Sequence, residues 1–239
     1  MNKLSKSDLA AIIKKTALRL GFDLVRITSA DEFSKDRRYA LDRLHEGYLN
    51  GLPWYTTSRV ERGTNPQQLL PGARSIICLG LNYFEPSHSS IDSSHLVGTG
   101  RIANYAQGKD YHRLIKKRMR SLVVEMSSIL GEEVGARWYV DDGPMLDRAA
   151  ANRSGLGWFG KNTNILSPGV GSWTFLGQIV TNLNLEIDMP LKKSCGTCIE
   201  CIKSCPTGAI VAPYVLDNTK CISFHTIENR GPIPLEIRP

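Results

Sequence analysis

At 239 residues, 41% of them hydrophobic, the chain is long enough to bury a sizeable core, and no apolar run approaches membrane-spanning length. Its 30 basic and 23 acidic residues leave a net charge of +7 and a pI near 9.1. That balance favours an anionic partner, nucleic acid before a membrane surface, and fits a plain basic protein equally well. The start MNKLSKSDLAAIIKK lacks the apolar core and small-residue cleavage site of a signal peptide, and unpaired thiols point to a reducing cytoplasm.

Residues 5–21 predict a helix, with Ser or Asp at its start, apolar residues at helical spacing and Gly21 as its stop. FDLVRITSA reads as a strand, DEFSKDRRYALDRLHEGY as a second helix, and RSIICLGLNYF as a buried strand in which Cys78 is a core residue. The polar stretch at 85–100 has the composition of a surface loop or lid. YHRLIKKRMRSLVVEMSSILG predicts the strongest helix, with Leu114, Leu122, Val123, Met126 and Leu130 as its apolar stripe. Arg113, Lys116, Lys117 and Arg120 crowd the other side, either as solvated surface or as a phosphate-contacting face. ARWYVDD and GSWTFLGQIVTNLNLEI follow as strand regions. Helix and strand alternate through about residue 190, which predicts an α/β (α+β) layered domain over 1–190 and a small appended module over 191–239.

Seven glycines fall between Trp138 and Gly177, a density that implies tight turns or close backbone approach to something flat or bulky. Asp141, at the end of a predicted strand before these Gly-rich loops, is a candidate proton-handling group. The alternative is that Asp141 or Asp142 caps the helix starting near PMLDRAAA, and the residues alone leave both readings open.

CGTCIECIKSCPTGAI then places four cysteines in close succession. Zinc sites draw on two well-separated ligand pairs, whereas C-x2-C-x2-C-x3-C-P is the bacterial [4Fe–4S] signature. Cys195, Cys198, Cys201 and Cys205 before Pro206 match it position for position. In two-cluster ferredoxin modules the cysteine before proline serves the other cluster, which makes Cys221 the next candidate ligand.

Together YVDDGPMLDRAAANRSGLGWFGKN, GSWTFLG, the cysteine loop, KCISFHT and GPIP resemble the epoxyqueuosine reductase family, and LLPGARSIICLGLNY and RIANYAQGKDYH extend the resemblance over nearly the whole chain. The resemblance implies a cytoplasmic, monomeric, cobalamin-dependent iron–sulfur oxidoreductase fed by an external electron donor. Its reaction would remove the epoxide oxygen from epoxyqueuosine at the tRNA wobble position, the last step of queuosine biosynthesis. The implied architecture is a cobalamin-binding catalytic domain, similar to reductive dehalogenases, with a ferredoxin-like two-cluster module attached. Carried over by position, the proton donor falls on Asp141. Cobalamin contacts fall on Arg62, Ala103, Asp141, Ile165, Leu176 and Ser223, the apolar ones packing against the corrin. Cys195, Cys198 and Cys201 would serve the first cluster, Cys205 and Cys221 the second. The tRNA would meet the basic helix, or else Arg148, Arg153 and Lys161 near the cofactor pocket.

The family continues past GPIP into a second cysteine motif and often a helical-repeat region that grips tRNA. The expectation is therefore either a fragment of a longer reading frame or a truncated relative, with at most one [4Fe–4S] cluster fully ligated by its own thiols. The rival expectation is a non-catalytic one-cluster electron carrier, or a remnant that binds tRNA or cobalamin.

Overall fold

A computed structural model describes residues 4–85 and 102–238. Past Glu85, the predicted loop or lid at 85–100 lies outside the described residues. Helix α1 (Lys6–Arg19) begins where Ser5 Oγ accepts from the Asp8 amide at 3.1 Å, and it buries Leu9, Ala10, Ile13 and Ala17. Strand β1 (Leu24–Ser29) follows, then α2 (Ser34–His45), which buries none of its side chains. Helix α3 (Thr57–Thr64) is capped by Thr56, and the single turn α4 (Pro66–Leu69) by Asn65.

Strand β2 (Ser75–Asn82) is buried from Ser75 to Gly80, and Cys78 is wholly enclosed as expected. Helix α5 (Tyr111–Leu130) runs from an Asp110 cap to Gly131, and β3 (Ala136–Tyr139) leads to α6 (Asp147–Arg153). The short hairpin β4 (Trp158–Phe159) and β5 (Ile165–Leu166) precedes the long strand β6 (Thr174–Thr181).

The main sheet has the order β1-β2-β6-β3, and every pairing in it is antiparallel. Helices cover both faces without parallel crossovers, so the layers are of the α+β kind. Alternation along β2 and β6 divides the core. Ile77, Leu79 and Ile179 face α1 and α5, while Ile76, Cys78 and Val180 face the Ala149–Ala151 run of α6 and Ile165. The chain leaving β6 returns along the β1 edge. There Asp188 N–H donates to the Ile27 carbonyl, Asp188 Oδ2 accepts from the Ile27 amide, both at 2.8 Å, and Lys14 pairs with Asp188 at 2.7 Å.

The stripe expected on α5 needs correction. Leu114 is 45% exposed, and the core row is Ile115, Met119, Leu122 and Met126. Those four keep the i, i+4, i+7, i+11 spacing of one helical face, and Leu114 lies one row outside it. Val123 and Leu130 are only partly buried against the same cluster. Among the described residues no helix is long and apolar enough to cross a membrane.

Beyond Met189 come α7 (Glu200–Lys203), the hairpin β7 (Ile210–Ala212) and β8 (Val215–Leu216), and α8 (Ile222–Ile227).

Candidate functional site

Strand β3 ends at Tyr139, Val140 is buried, and the chain then turns through Asp141 at φ 57°. Aspartate is among the few side chains that tolerate this left-handed region. The turn leaves Asp141 exposed, with Oδ2 accepting from the Tyr111 hydroxyl at 3.1 Å. Tyr111 is the first residue of α5, and its ring stacks on Phe175 with centroids 4.0 Å apart. Burial, then the charge and hydrogen bond of Asp141, raise the Tyr111 phenol well above its ordinary value. The hydroxyl therefore stays protonated and serves as a fixed donor.

Asp142 has a different task. Its Oδ1 accepts from the Val140 amide at 3.1 Å and its Oδ2 pairs with Lys116. Partial burial pushes its carboxyl up, but the Lys116 bond and the Val140 amide outweigh that and lower it. Helix α6 starts only at Asp147, after Leu146, which makes no side-chain cap. Neither Asp141 nor Asp142 caps it. The capping alternative falls.

Sequence reasoning overlooked Asp147. The residue as a whole is half-buried, yet its Oδ1 is sealed from water and has no partner among the described residues. Burial, followed by the nearby Asp141 charge, pushes this carboxyl up to about 8, against the pull of Arg148. Gln178 Nε2 donates to the Asp147 carbonyl at 3.4 Å, and Gln178 Oε1 is also buried without a partner. The one available signal was an acid at the head of an alanine-rich helix, which reads as an ordinary first-turn charge.

Of the positions carried over as cofactor contacts, Ile165 and Leu176 share one apolar cluster with Tyr139, Met145 and the alanines of α6. Arg62 sits exposed in the last turn of α3, with its charge acting on the Tyr139 phenol. Ala103 is exposed just before the 3-10 turn Asn104–Ala106, whose Tyr105 acts on the Tyr111 phenol. Ser223 is exposed on α8. The tertiary structure thus gathers Asp141, Arg62, Ile165 and Leu176 around Tyr139 and α6. No hydrogen bond or shared apolar cluster among the described residues ties Ala103 or Ser223 to them.

Helix α3 lies flush against the acid loop. A Cβ on Gly63 would sit 1.8 Å from the Pro144 carbonyl oxygen, so only glycine permits this approach. The basic residues proposed for tRNA are partly committed elsewhere. Arg153 donates to the Ser29 and Asp31 carbonyls at 2.6 and 3.0 Å, and Lys161 donates to the Gly196 carbonyl at 2.7 Å. On α5, Lys116 is held by Asp142 and Arg113 lies 3.7 Å from Asp110. Lys117 and Arg120 are exposed and form no ion pair among the described residues.

Cys195 and Cys198 flank a turn closed by the Cys198 amide on the Cys195 carbonyl at 2.9 Å. Cys201 lies in α7, Cys205 follows it, and Cys221 stands at the N-terminus of α8. Burial pushes the Cys205 thiol up. The amide of Ile210, the Thr207 hydroxyl and the amides of Ala209 and Thr207 outweigh this and lower it. Such an amide cradle suits a metal-bound thiolate. A cavity of about 440 Å3 lies beside it, between Pro206–Thr207 and Ile222, His225 and Thr226. Among the described residues no three His, Cys, Asp or Glu side chains are grouped for a single metal ion, whereas a cubane distributes its thiolates over separate irons.

Residues 64–142 match the family described as Epoxyqueuosine reductase QueG, DUF1730, and residues 194–239 match the 4Fe-4S double cluster binding domain. The epoxyqueuosine reductase of Synechocystis sp. is 46% identical over 187 residues, covering 78% of this chain and 62% of that protein. The epoxyqueuosine reductase of Cellulophaga algicola is 40% identical over 234 residues, covering 98% of this chain and 74% of that protein. The chain thus spans roughly two thirds of the length of the curated relatives it matches.

Among solved structures, the Bacillus subtilis epoxyqueuosine reductase, with an aspartate catalytic loop swung out of its active site, superposes at TM-score 0.84 and 30% identity. That match covers 96% of this chain and 60% of the other. An epoxyqueuosine reductase with an epoxyqueuosine-modified tRNA stem loop gives TM-score 0.82 at 31% identity, covering 95% and 59%. A reductive dehalogenase associated with B12-dependent dehalogenation shares the fold at TM-score 0.50 and 15% identity, covering 84% and 23%. An acid loop on an antiparallel α+β core, a cysteine module beyond it, and identity sustained along almost the entire sequence place this chain in the epoxyqueuosine reductase family.

Proposed function

We propose that the chain reduces epoxyqueuosine to queuosine at the wobble position of tRNA, with Asp141 as proton donor. The observation that supports this most directly is the exposed Asp141 carboxyl, held by Tyr111 on a strand-end loop and free of any capping duty. A bare electron carrier has no use for such a group. Residues 1–190 form the catalytic domain in this reading and residues 191–239 the ferredoxin-like module. The protein works as a cytoplasmic monomer supplied by an external electron donor.

Opening an epoxide to an alkene takes two electrons and two protons and releases the oxygen as water. Bound cobalamin would supply the low-valent cobalt chemistry and the iron–sulfur clusters single-electron transfer. The protein's own residues have simpler tasks. Ile165 and Leu176 would offer bound cobalamin an apolar wall with Arg62 beside it, and Ala103 and Ser223 would reach it from separate elements. Thr174 and Gln178 lie on the same face of β6 as Leu176, and each carries a buried oxygen without a partner among the described residues. That mixture of apolar wall and unpaired polar atoms fits a large amphiphilic cofactor. Asp141, in its protonated form, would deliver one proton to the departing oxygen, Tyr111 would hold the carboxylate left behind, and the second proton would come from solvent.

Cys195, Cys198 and Cys201 serve one cluster, and Cys205 and Cys221 begin the second. With these five thiols the chain completes at most one [4Fe–4S] cluster unaided. Anaerobic reconstitution followed by iron and cobalt analysis tests the assignment. Cys198→Ser should remove most of the bound iron, and Cys78→Ser, buried in β2, should leave iron content unchanged. Iron near eight per chain would mean that other ligands complete both clusters. Failure of the chain to convert an epoxyqueuosine-bearing stem loop with cobalamin and reductant present would count against the reading as a whole.

The exposed charges on α5 predict a salt effect. Replacing Lys117 and Arg120 together by glutamine should flatten the log–log salt dependence of stem-loop binding by about one to two units, since each phosphate contact contributes slightly under one. An unchanged slope would leave α5 as solvated surface.

A further inference from the structure

The acid loop and the cysteine module meet through a short series of side chains. Gly143 follows Asp141 by two residues, and its carbonyl accepts from Arg59 Nη2 of α3. Arg59 forms no salt bridge among the described residues, so its guanidinium is given over to this backbone oxygen and to one ring. That ring is Trp54, with the guanidinium carbon 4.7 Å from its centroid. The Trp54 indole N–H donates to Glu228 Oε2 at 3.4 Å, and Glu228 closes α8, the helix that Cys221 begins.

Helix α8 and the turn Asn218–Lys220 before it are seated on the same segment by independent contacts. A Cβ on Gly51 would lie 2.3 Å from the Phe224 ring, so the ring rests directly on the backbone there. The Asn218 amide donates to the Tyr48 carbonyl at 2.9 Å, and Asn218 Nδ2 donates to the Asn50 carbonyl at 3.3 Å. Residues 48–54 therefore touch the cysteine module on one side and Arg59 on the other. In the Bacillus subtilis relative an aspartate catalytic loop is found swung out of the active site, so such a loop has a second position.

We propose that Arg59 is the positioning residue for the Asp141 loop, and that its hold depends on Trp54 being engaged by the Cys221-bearing helix. The proton donor is then set in place only when the cysteine module is seated. This rests on Asp141 being the acid. A charge-assisted hydrogen bond to Gly143, aligned by a cation–π contact, is strong enough to bias a short loop between two positions, and Trp54 is the part of that contact which α8 controls. Spatial succession is not itself coupling, so the test must measure an effect on the loop from residues that do not touch it.

Hydrogen exchange of the full 239-residue chain, followed in a peptide covering 140–146, supplies that measurement. Arg59→Gln should speed exchange there roughly tenfold or more, and Arg59→Lys, which keeps the charge but loses the fork, should fall between it and wild type. Trp54→Leu and Glu228→Gln should each speed the same peptide by about two- to fivefold, although neither side chain hydrogen-bonds to the loop. The Arg59→Gln/Trp54→Leu double variant should be no faster than Arg59→Gln alone, because both act through one contact. In the loaded enzyme Arg59→Gln should lower kcat and leave KM for the tRNA stem loop unchanged.

Unaltered exchange at 140–146 in Arg59→Gln would overturn the proposal. So would changes in Trp54→Leu confined to residues 48–56 and 222–229, or additive effects in the double variant. Should Arg59→Gln fail to fold, Arg59→Lys and the exposed Trp54 carry the same comparison. A loop that responds as expected while Asp141→Asn keeps full activity would sink the assignment of the acid and leave the coupling standing.

Discussion

Replacing Asp141 by asparagine should lower the rate of epoxide reduction by about 10²–10⁴-fold, the usual loss when a general acid is removed. The substitution is close to isosteric, and among the described residues the side chain caps no helix and carries no ion pair, so the fold should survive it. Asparagine can still accept from the Tyr111 hydroxyl, which separates loss of the proton from loss of position. Asp142→Asn is the matched control. It removes the charge that Lys116 meets and keeps an oxygen for the Val140 amide, so a modest loss of stability and little loss of rate are expected. Single-turnover rates on an epoxyqueuosine-bearing stem loop, beside cobalamin binding and urea unfolding, decide the case. Equal losses of rate from the two variants would undo the assignment to Asp141.

Asp147→Asn should reshape the pH dependence of stability. The folded carboxyl is raised from an ordinary 3.8 to about 8, so the folded state prefers the neutral form. Between those values the native protein binds more protons than the unfolded chain, and stability must fall as pH rises. The contribution is whole below about pH 4 and is lost as pH passes upward through about 8. Asp141 and Asp142 add to the shift and Arg148 opposes it. Asparagine cannot ionise, so the variant escapes this loss across the whole interval. Urea midpoints measured from pH 5 to pH 8 should show the variant gaining steadily on wild type. Parallel curves would mean that water reaches Asp147 Oδ1.

The cysteine spacing was legible in the sequence because iron–sulfur ligation is local. Three thiols on one tight loop need only a few residues to define them, and Pro206 marks where the chain turns away. Burial of Cys78 and the span of α5 were legible for the same reason, since an apolar run or a helical period is written in neighbouring positions. The period still misplaced Leu114. Which row of a helix is buried depends on where the sheet lies, and alternation in β2 and β6 set Ile115 and Met119 against it. The two readings of Asp141 separated only in three dimensions, because a cap is defined by where a helix begins, and α6 begins six residues later. The antiparallel order of the sheet, the seal around Asp147 Oδ1, and the approach of Gly63 to Pro144 were likewise tertiary outcomes. Each joins residues distant in sequence or packed by different elements, and no local pattern encodes that juxtaposition. The cysteine spacing and the strand-end acid are local patterns and could be read from neighbouring residues; which charges are paired, buried or exposed follows from packing between distant segments.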